Sequence, residues 1–258
     1  AERIRPNGQM LAFEIDPEIA KSLVKKFENN SAVIIVNESF ANMNAIAKEK
    51  NFGSADGIIF DLGLSSLQLE ASGRGFSFLR DEPLDMRFDS KRGELKASDI
   101  INHSTKEELE RIFKDYGQER FARKIAETIV RERKRKSIVR TGELVACIRN
   151  AIPIFARHGK IHFATRVFQA LRIAVNDELE TIQKGITEAI MQLKKGGRVA
   201  VISFHSLEDG IVKRIFRQEE KNGVIVQCMK KPLVPTQEEI RKNSRARSGK
   251  LRVAQKII

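Results

Sequence analysis

The chain has 258 residues, 41% of them hydrophobic and 31% charged, and its 47 Lys and Arg against 34 Asp and Glu give a formal net charge of +13. This composition fits a folded globular protein with one large core, or one core and a smaller satellite domain, and no apolar run reaches the roughly 18 residues a bilayer-spanning helix needs. The basic excess points to a polyanionic partner, nucleic acid or an anionic membrane surface. Trp is absent and Tyr116 is the sole tyrosine beside 15 Phe, so any base stacking falls to Phe, His or Arg.

Along the chain, "GQMLAFEID" alternates into a strand that ends at Glu14. Asp16 is placed to cap a helix whose first position suits Pro17, with Ile19, Leu23, Val24 and Phe27 as its apolar stripe. "AVIIVNESF" and "ADGIIFDLG" are the next two strands, and strand–helix alternation predicts a parallel α/β sheet. From Lys96 to Pro153 the strand signal stops. Ser104 with Glu107 reads as a capping box, and "ERFARKIAETIVRERKRK" and "TGELVACIRNAI" read as further helices. The expected organisation is therefore an α/β domain from residues 1–95 and 154–258, with a small helical domain, 96–153, inserted for substrate recognition. Apolar positions from Phe168 to Leu193 recur at steps of three and four and predict one long helix stopped by Gly196 and Gly197. "RVAVISF" is a strand, "SLEDGIVKRIF" a helix and "KLRVAQKII" a closing strand. Cys147 and Cys228 lack metal-ligand spacing and read as buried thiols in a reducing cytosol, with no metal site.

Chemistry concentrates where strands end, which is where open α/β sheets bind ligands. Glu14 follows the first strand, where an acid can accept from ribose hydroxyls or simply favour a helix start. Phe40 follows the second strand, as a stacking face or a core residue. Asp61 ends the third strand and opens "FDLGLSSLQLEASGRGFSFLRDEPLDMRFD", which carries Gln68, Arg74 and Arg87. "VISFHSLEDGIVKRIF" places Phe204 and His205 in a strand-to-helix turn. "HFATRVFQALRIAVNDELE" sets Arg166, Gln169, Arg172 and Asn176 near one helical face. The run "RERKRK", with Arg131, Arg133, Lys134 and Arg135, and the pair Arg245 and Arg247 in "NSRARSGKLRVA" suit phosphate contact or a solvated surface.

These four segments closely resemble the signatures of the bacterial 16S rRNA (cytosine-N4) methyltransferases, the RsmH or MraW family. The chain departs from that pattern at Glu14 (usually Asp), Phe163 (Pro), Val167 (Thr), Gly210 (Arg) and Ser244 (Pro). The resemblance implies a Rossmann-like fold and transfer of a methyl group from S-adenosylmethionine to N4 of a cytidine in the decoding region of small-subunit rRNA. It also implies cofactor contacts at Glu14, Phe40, Asp61 and Gln68. Asp61, Phe204 and His205 would be the catalytic and base-lining residues, and Arg74, Arg87, Arg131, Arg133, Lys134, Arg135, Arg245 and Arg247 would meet RNA. "DLGLSS" fills the slot where amine methyltransferases place acceptors for the two amine N–H groups, without their usual Pro-Pro-aromatic form. The expected partner is the small ribosomal subunit through its 16S rRNA, in the cytoplasm and away from membranes, with a homodimer allowed. Family members carry a first strand and a glycine-rich turn ahead of the ribose acid, and no such pattern precedes Glu14. That unit, roughly thirty to forty residues, is expected to be missing and the chain to bind cofactor weakly. Two other readings fit the same residues: a non-catalytic rRNA-binding assembly protein, and an amine methyltransferase acting on DNA or another RNA.

Overall fold

The computed structural model describes residues 8–91, 95–159 and 161–258. The chain divides into two compact units, one formed by Ala1–Gly63 with Leu179–Ile258 and one by Leu64–Glu178. The stretch before residue 8, to which the expectation of a missing glycine turn partly applies, lies outside the described residues. The first unit opens with β1 (Met10–Phe13), α1 (Pro17–Phe27), β2 (Val33–Val36), α2 (Met43–Glu49) and β3 (Ala55–Asp61). Asp16 caps α1 as the sequence suggests: it is fully buried and accepts from the Glu18 amide at 3.1 Å. β1 and β2 pair in parallel, Met10 opposite Val33 and Phe13 opposite Val36.

The second unit holds α3 (Ser66–Ala71), α4 (Ala97–His103), α5 (Lys106–Asp115), α6 (Ala122–Arg133), α7 (Thr141–Ala151) and α8 (Thr165–Asn176). Its core gathers Phe113, Ile129, Leu144 and Leu171, each at 0% exposure. Burying each such side chain is worth about 1.5–3 kcal/mol. This unit is wider than the helical span 96–153 read from the sequence. The loop from Gly73 to Phe88 and helix α8 share its core through Phe76, Leu84, Met86 and Phe168. Gly75, at φ +75°, shows how close the loop lies to α7: a Cβ there would fall 2.4 Å from the Pro83 carbonyl oxygen and 3.1 Å from Thr141 Cγ2. The capping box also moves by one residue. Thr105 accepts from the Glu108 amide at 3.2 Å and Glu108 accepts from the Thr105 amide at 2.7 Å. Ser104 instead ends α4.

The predicted long helix is two helices. Asp177 is left-handed (φ 46°, ψ 40°) and separates α8 from α9 (Glu178–Gln192). Asn176 supports the break, since its Nδ2 donates to the Arg172 and Met86 carbonyls at 2.9 and 2.8 Å while its Oδ1 accepts from the Phe88 amide at 2.7 Å. The chain then forms β4 (Leu193–Ser203), α10 (Ser206–Lys221), β5 (Ile225–Gln227), α11 (Gln237–Lys242) and β6 (Lys250–Lys256). Helix α9 stops at Gln192, ahead of the two glycines, which lie within an irregular stretch of β4 where the register to β3 shifts. The strand order is β3-β4-β6-β5, with β4 parallel to β3 and β6 antiparallel to both its neighbours. The sheet is thus mixed rather than parallel. β6 inserts between β4 and β5, and an antiparallel neighbour needs no helical crossover.

Both cysteines are free, but only Cys147 is buried; Cys228 is exposed, against expectation. Desolvation, followed by the charges of Glu132 and Glu143, pushes the Cys147 thiol up to about 11. At pH 8 a disulfide-exchange reagent should therefore titrate one thiol quickly and the second only in denaturant. Two fast thiols would contradict this packing of α7.

Candidate cofactor and substrate site

The ends of β3 and β4 bring two of the sequence signatures together. Asp61 lies opposite Ile202, and the next amide, Leu62, donates to the Ile202 carbonyl at 3.0 Å. Gly63 then turns the chain at φ +92°, where a Cβ would lie 3.5 Å from Cδ2 of Phe204. The Phe204 ring therefore sits against the turn that follows Asp61. The Asp61 side chain reaches solvent, yet desolvation by the surrounding protein raises its carboxyl above the usual carboxylate range.

His205, expected to line the base pocket, sits at the start of α10. It caps α10: its Nδ1 accepts from the Glu208 amide at 3.3 Å, and its Nε2 lies 3.2 Å from Glu208 Oε1. Glu208 is fully buried and also accepts from the Phe204 amide at 2.7 Å. The pair fixes the turn that presents Phe204. Asp209, one residue on, is chelated by Arg252 at 2.6 and 3.2 Å. Burial alone would raise its carboxyl, but the Arg252 hydrogen bond and charge hold it below the usual range.

β1 and β3 each end a sheet, and among the described residues no ladder joins them. Both line a cavity of about 1180 Å³, with Phe13, Phe40, Ile59, Asp61 and Leu62 among its walls. Ile59 is 77% exposed, unusual for an apolar residue inside a strand. Phe40 joins the cavity wall to the core: it meets Phe60 edge-on at 5.3 Å, and a Cβ on Gly185 would fall 2.3 Å from its ring. Glu14 follows β1 directly. Its Oε1 accepts from the Asp16 amide at 2.8 Å, and Asn37, which the sequence reading passed over, donates to its carbonyl at 2.8 Å. In the second unit Gln68 is 5% exposed and completes a capping box with Ser65 at 3.0 and 3.1 Å.

The cationic candidates divide by partner. Arg74 donates to the carbonyls of Arg87 and Phe88 at 2.9 and 2.8 Å, and Arg87 grips Asp85 at 2.8 and 2.7 Å. Both arginines thereby shape the loop. Arg133 donates to the Ile101 carbonyl at 2.6 Å, tying α6 to α4. Arg131, Lys134 and Arg135 are exposed at the end of α6, and Arg245 and Arg247 are exposed on a short 3₁₀ turn before β6.

Residues 3–257 match the MraW methylase family. The chain belongs to that family. It is 49% identical over 223 residues to a protein of Persephonella marina named ribosomal RNA small subunit methyltransferase H, covering 86% of this chain and 75% of that one. Proteins of the same name from Halothermothrix orenii and Dehalococcoides mccartyi are 42% and 44% identical, over 99% and 100% of this chain and 86% and 76% of theirs. In this MraW-family chain the turn of Asp61–Gly63 lies against Phe204, so two of its strand-end signatures are adjacent.

Proposed function

We propose that this protein transfers a methyl group from S-adenosylmethionine to the N4 amine of a cytidine in the decoding region of 16S rRNA, acting in the cytoplasm on the small ribosomal subunit. The observation that carries the reading is the placement of Asp61 and Phe204 at adjoining strand ends in a methylase-family chain. The carboxyl end of the cavity fits the cofactor. Phe40 offers an aromatic wall for adenine, Glu14 a carboxylate for ribose hydroxyls, and Asp61 an acceptor beside the reacting end. When bound, S-adenosylmethionine supplies an electrophilic methyl group.

A cytosine amine is a poor nucleophile because its lone pair is delocalised into the ring. It has to be held in line and polarised as it becomes tetrahedral. The Asp61 carboxylate accepts one amine N–H, and a backbone carbonyl of the following turn accepts the other. Phe204 packs on the base, which must leave its stack to enter. Glu208 and His205 keep Phe204 in place. Tritiated methyl incorporation into unmodified small subunits, followed by nuclease digestion and mass spectrometry, tests this: N4-methylcytidine is expected. Label on DNA or another RNA would favour the broader amine-methylating reading. Subunit binding without cofactor binding would favour the assembly-protein reading.

The exposed cations at the end of α6 serve the second unit as a phosphate contact. Neutralising Arg131, Lys134 and Arg135 together should lower the slope of log affinity against log salt by about 2 for a single-stranded rRNA segment. An unchanged slope would make them a solvated face.

A further inference from the structure

Three strand ends meet beside Phe204. β4 ends on Ser203, Lys250 at the start of β6 pairs with Ser203, and β3 ends at Asp61 on the other flank of β4. The ring of Phe204 has a glycine at each of two diagonally opposite carbons. A Cβ on Gly63 would lie 3.5 Å from its Cδ2, and a Cβ on Gly249 would lie 3.8 Å from its Cε1. Gly63 needs to be glycine for its φ of +92°. Gly249 does not: at φ −63° and ψ 137° its backbone is one that any residue adopts. What its missing side chain leaves is space, shared between the Phe204 ring and the Ala246 carbonyl oxygen, which is 3.0 Å from the same Cβ position.

The turn that carries Gly249 is tied down at both ends. On one side the Asn243 carbonyl accepts from the Ala246 amide at 3.0 Å, and the Ala246 carbonyl accepts from the Gly249 amide at 2.7 Å. On the other side Lys250 and Arg252, two residues apart and so on one face of β6, both reach Asp209 on α10. Arg252 Nε donates to Asp209 at 2.6 Å and Lys250 Nζ at 3.4 Å. The Arg252 and Asp209 side chains are only 7% and 13% exposed, so this tether is largely shielded from water. Two consecutive acids thus act on Phe204 from different directions. Glu208 holds its amide, and Asp209 holds the strand into which Gly249 leads.

We infer that Gly249 is a positioning residue for the methyl transfer and that Asp209, Arg252 and Lys250 act through it. The absent side chain lets the Phe204 ring stand where Gly63 bounds it, and the Asp209 tether keeps the turn from drifting away from the ring. The inference rests on the reading in which Phe204 packs on the cytosine, and it adds the residue that sets where that ring stands. A ring pushed aside by a carbon's width takes the base out of line with the methyl donor. Misplacement on that scale lowers the rate of the chemical step and leaves the binding of cofactor and subunit in place.

The test is a double-mutant cycle between positions 249 and 204, read as kcat and KM for tritiated methyl transfer to small subunits. Gly249→Val suits the extended backbone, but its single β-hydrogen can face only one of the two neighbours, the ring or the Ala246 carbonyl. It is expected to lower kcat about tenfold or more. KM for small subunits and for S-adenosylmethionine should stay within about twofold, and the melting temperature should fall by no more than about 10 °C. Phe204→Leu is slower in its own right, but in that background the same Gly249→Val change should cost less than about twofold in kcat, because the ring it displaces is gone. Gly249→Ala should show the same coupling on a smaller scale, about threefold, and carries the cycle by itself if the valine variant does not fold. Equal losses in the two backgrounds overturn the positioning role, since a merely structural defect does not depend on the ring, and leave the methyl-transfer reading standing. A loss confined to KM for small subunits overturns it in favour of a direct rRNA contact by the turn. Wild-type protein that transfers no methyl group to small subunits overturns both readings.

Discussion

Replacing Asp61 by Ala should lower methyl transfer to small subunits at least about a hundredfold, the scale on which a preorganised polar group at a reacting centre acts. The fold should barely notice, because the Asp61 side chain reaches solvent at a strand end, and surface substitutions of this kind usually stay within about 0.5 kcal/mol. The pH dependence supplies a second reading of the same residue. Its carboxyl is raised by desolvation, and the carboxylate is the form that accepts an amine proton. Activity should therefore fall as pH drops through a value above the usual carboxylate range. Asp61→Asn should remove that acid limb as well as most of the rate. Full activity of Asp61→Ala, measured by tritiated methyl incorporation, would sink the assignment.

Arg172→Ala should be among the most damaging changes to stability. Arg172 on α8 and Glu178 at the start of α9 form a two-pronged pair at 2.6 and 2.9 Å, with side chains only 12% and 6% exposed. Removing the guanidinium leaves a buried carboxylate without its cation, which costs about 3–5 kcal/mol. For a chain of this size that is a fall in melting temperature of roughly 6–20 °C. The double variant Arg172→Leu with Glu178→Leu should lose much less, because no charge is left stranded. A double variant as unstable as the single one would show that packing around the Asp177 break, and not the ion pair, holds this junction.

Much of this protein is written in its local sequence. Asp16 followed by Pro17 marks the start of α1 because a carboxylate can meet the first free amides and proline has no amide to lose there. The apolar run Ile58 to Phe60 followed by Asp61 and glycine marks a strand ending in a turn, and the turn holding Phe204 is legible in the same way. Where two local solutions tie, only the fold chooses. Ser104–Glu107 and Thr105–Glu108 fit a capping box equally well, and the end of α4 claims Ser104. The apolar repeat runs on through Asp177 without interruption, so periodicity predicts one helix. The break exists because Asn176 finds Met86 and Phe88, some ninety positions away. The place of β6 between β4 and β5, the contact of Gly185 with Phe40 and the cavity shared by β1 and β3 are likewise invisible to any window along the chain. The hydrogen-bond partners of His205 and Arg74 are invisible for the same reason, since they are set by how turns and loops close. Periodicity and capping record which face of a segment leaves water and where its backbone must be satisfied. Pairing order, close approach and cavity shape depend on residues far apart in the chain, and those are fixed only when the segments pack.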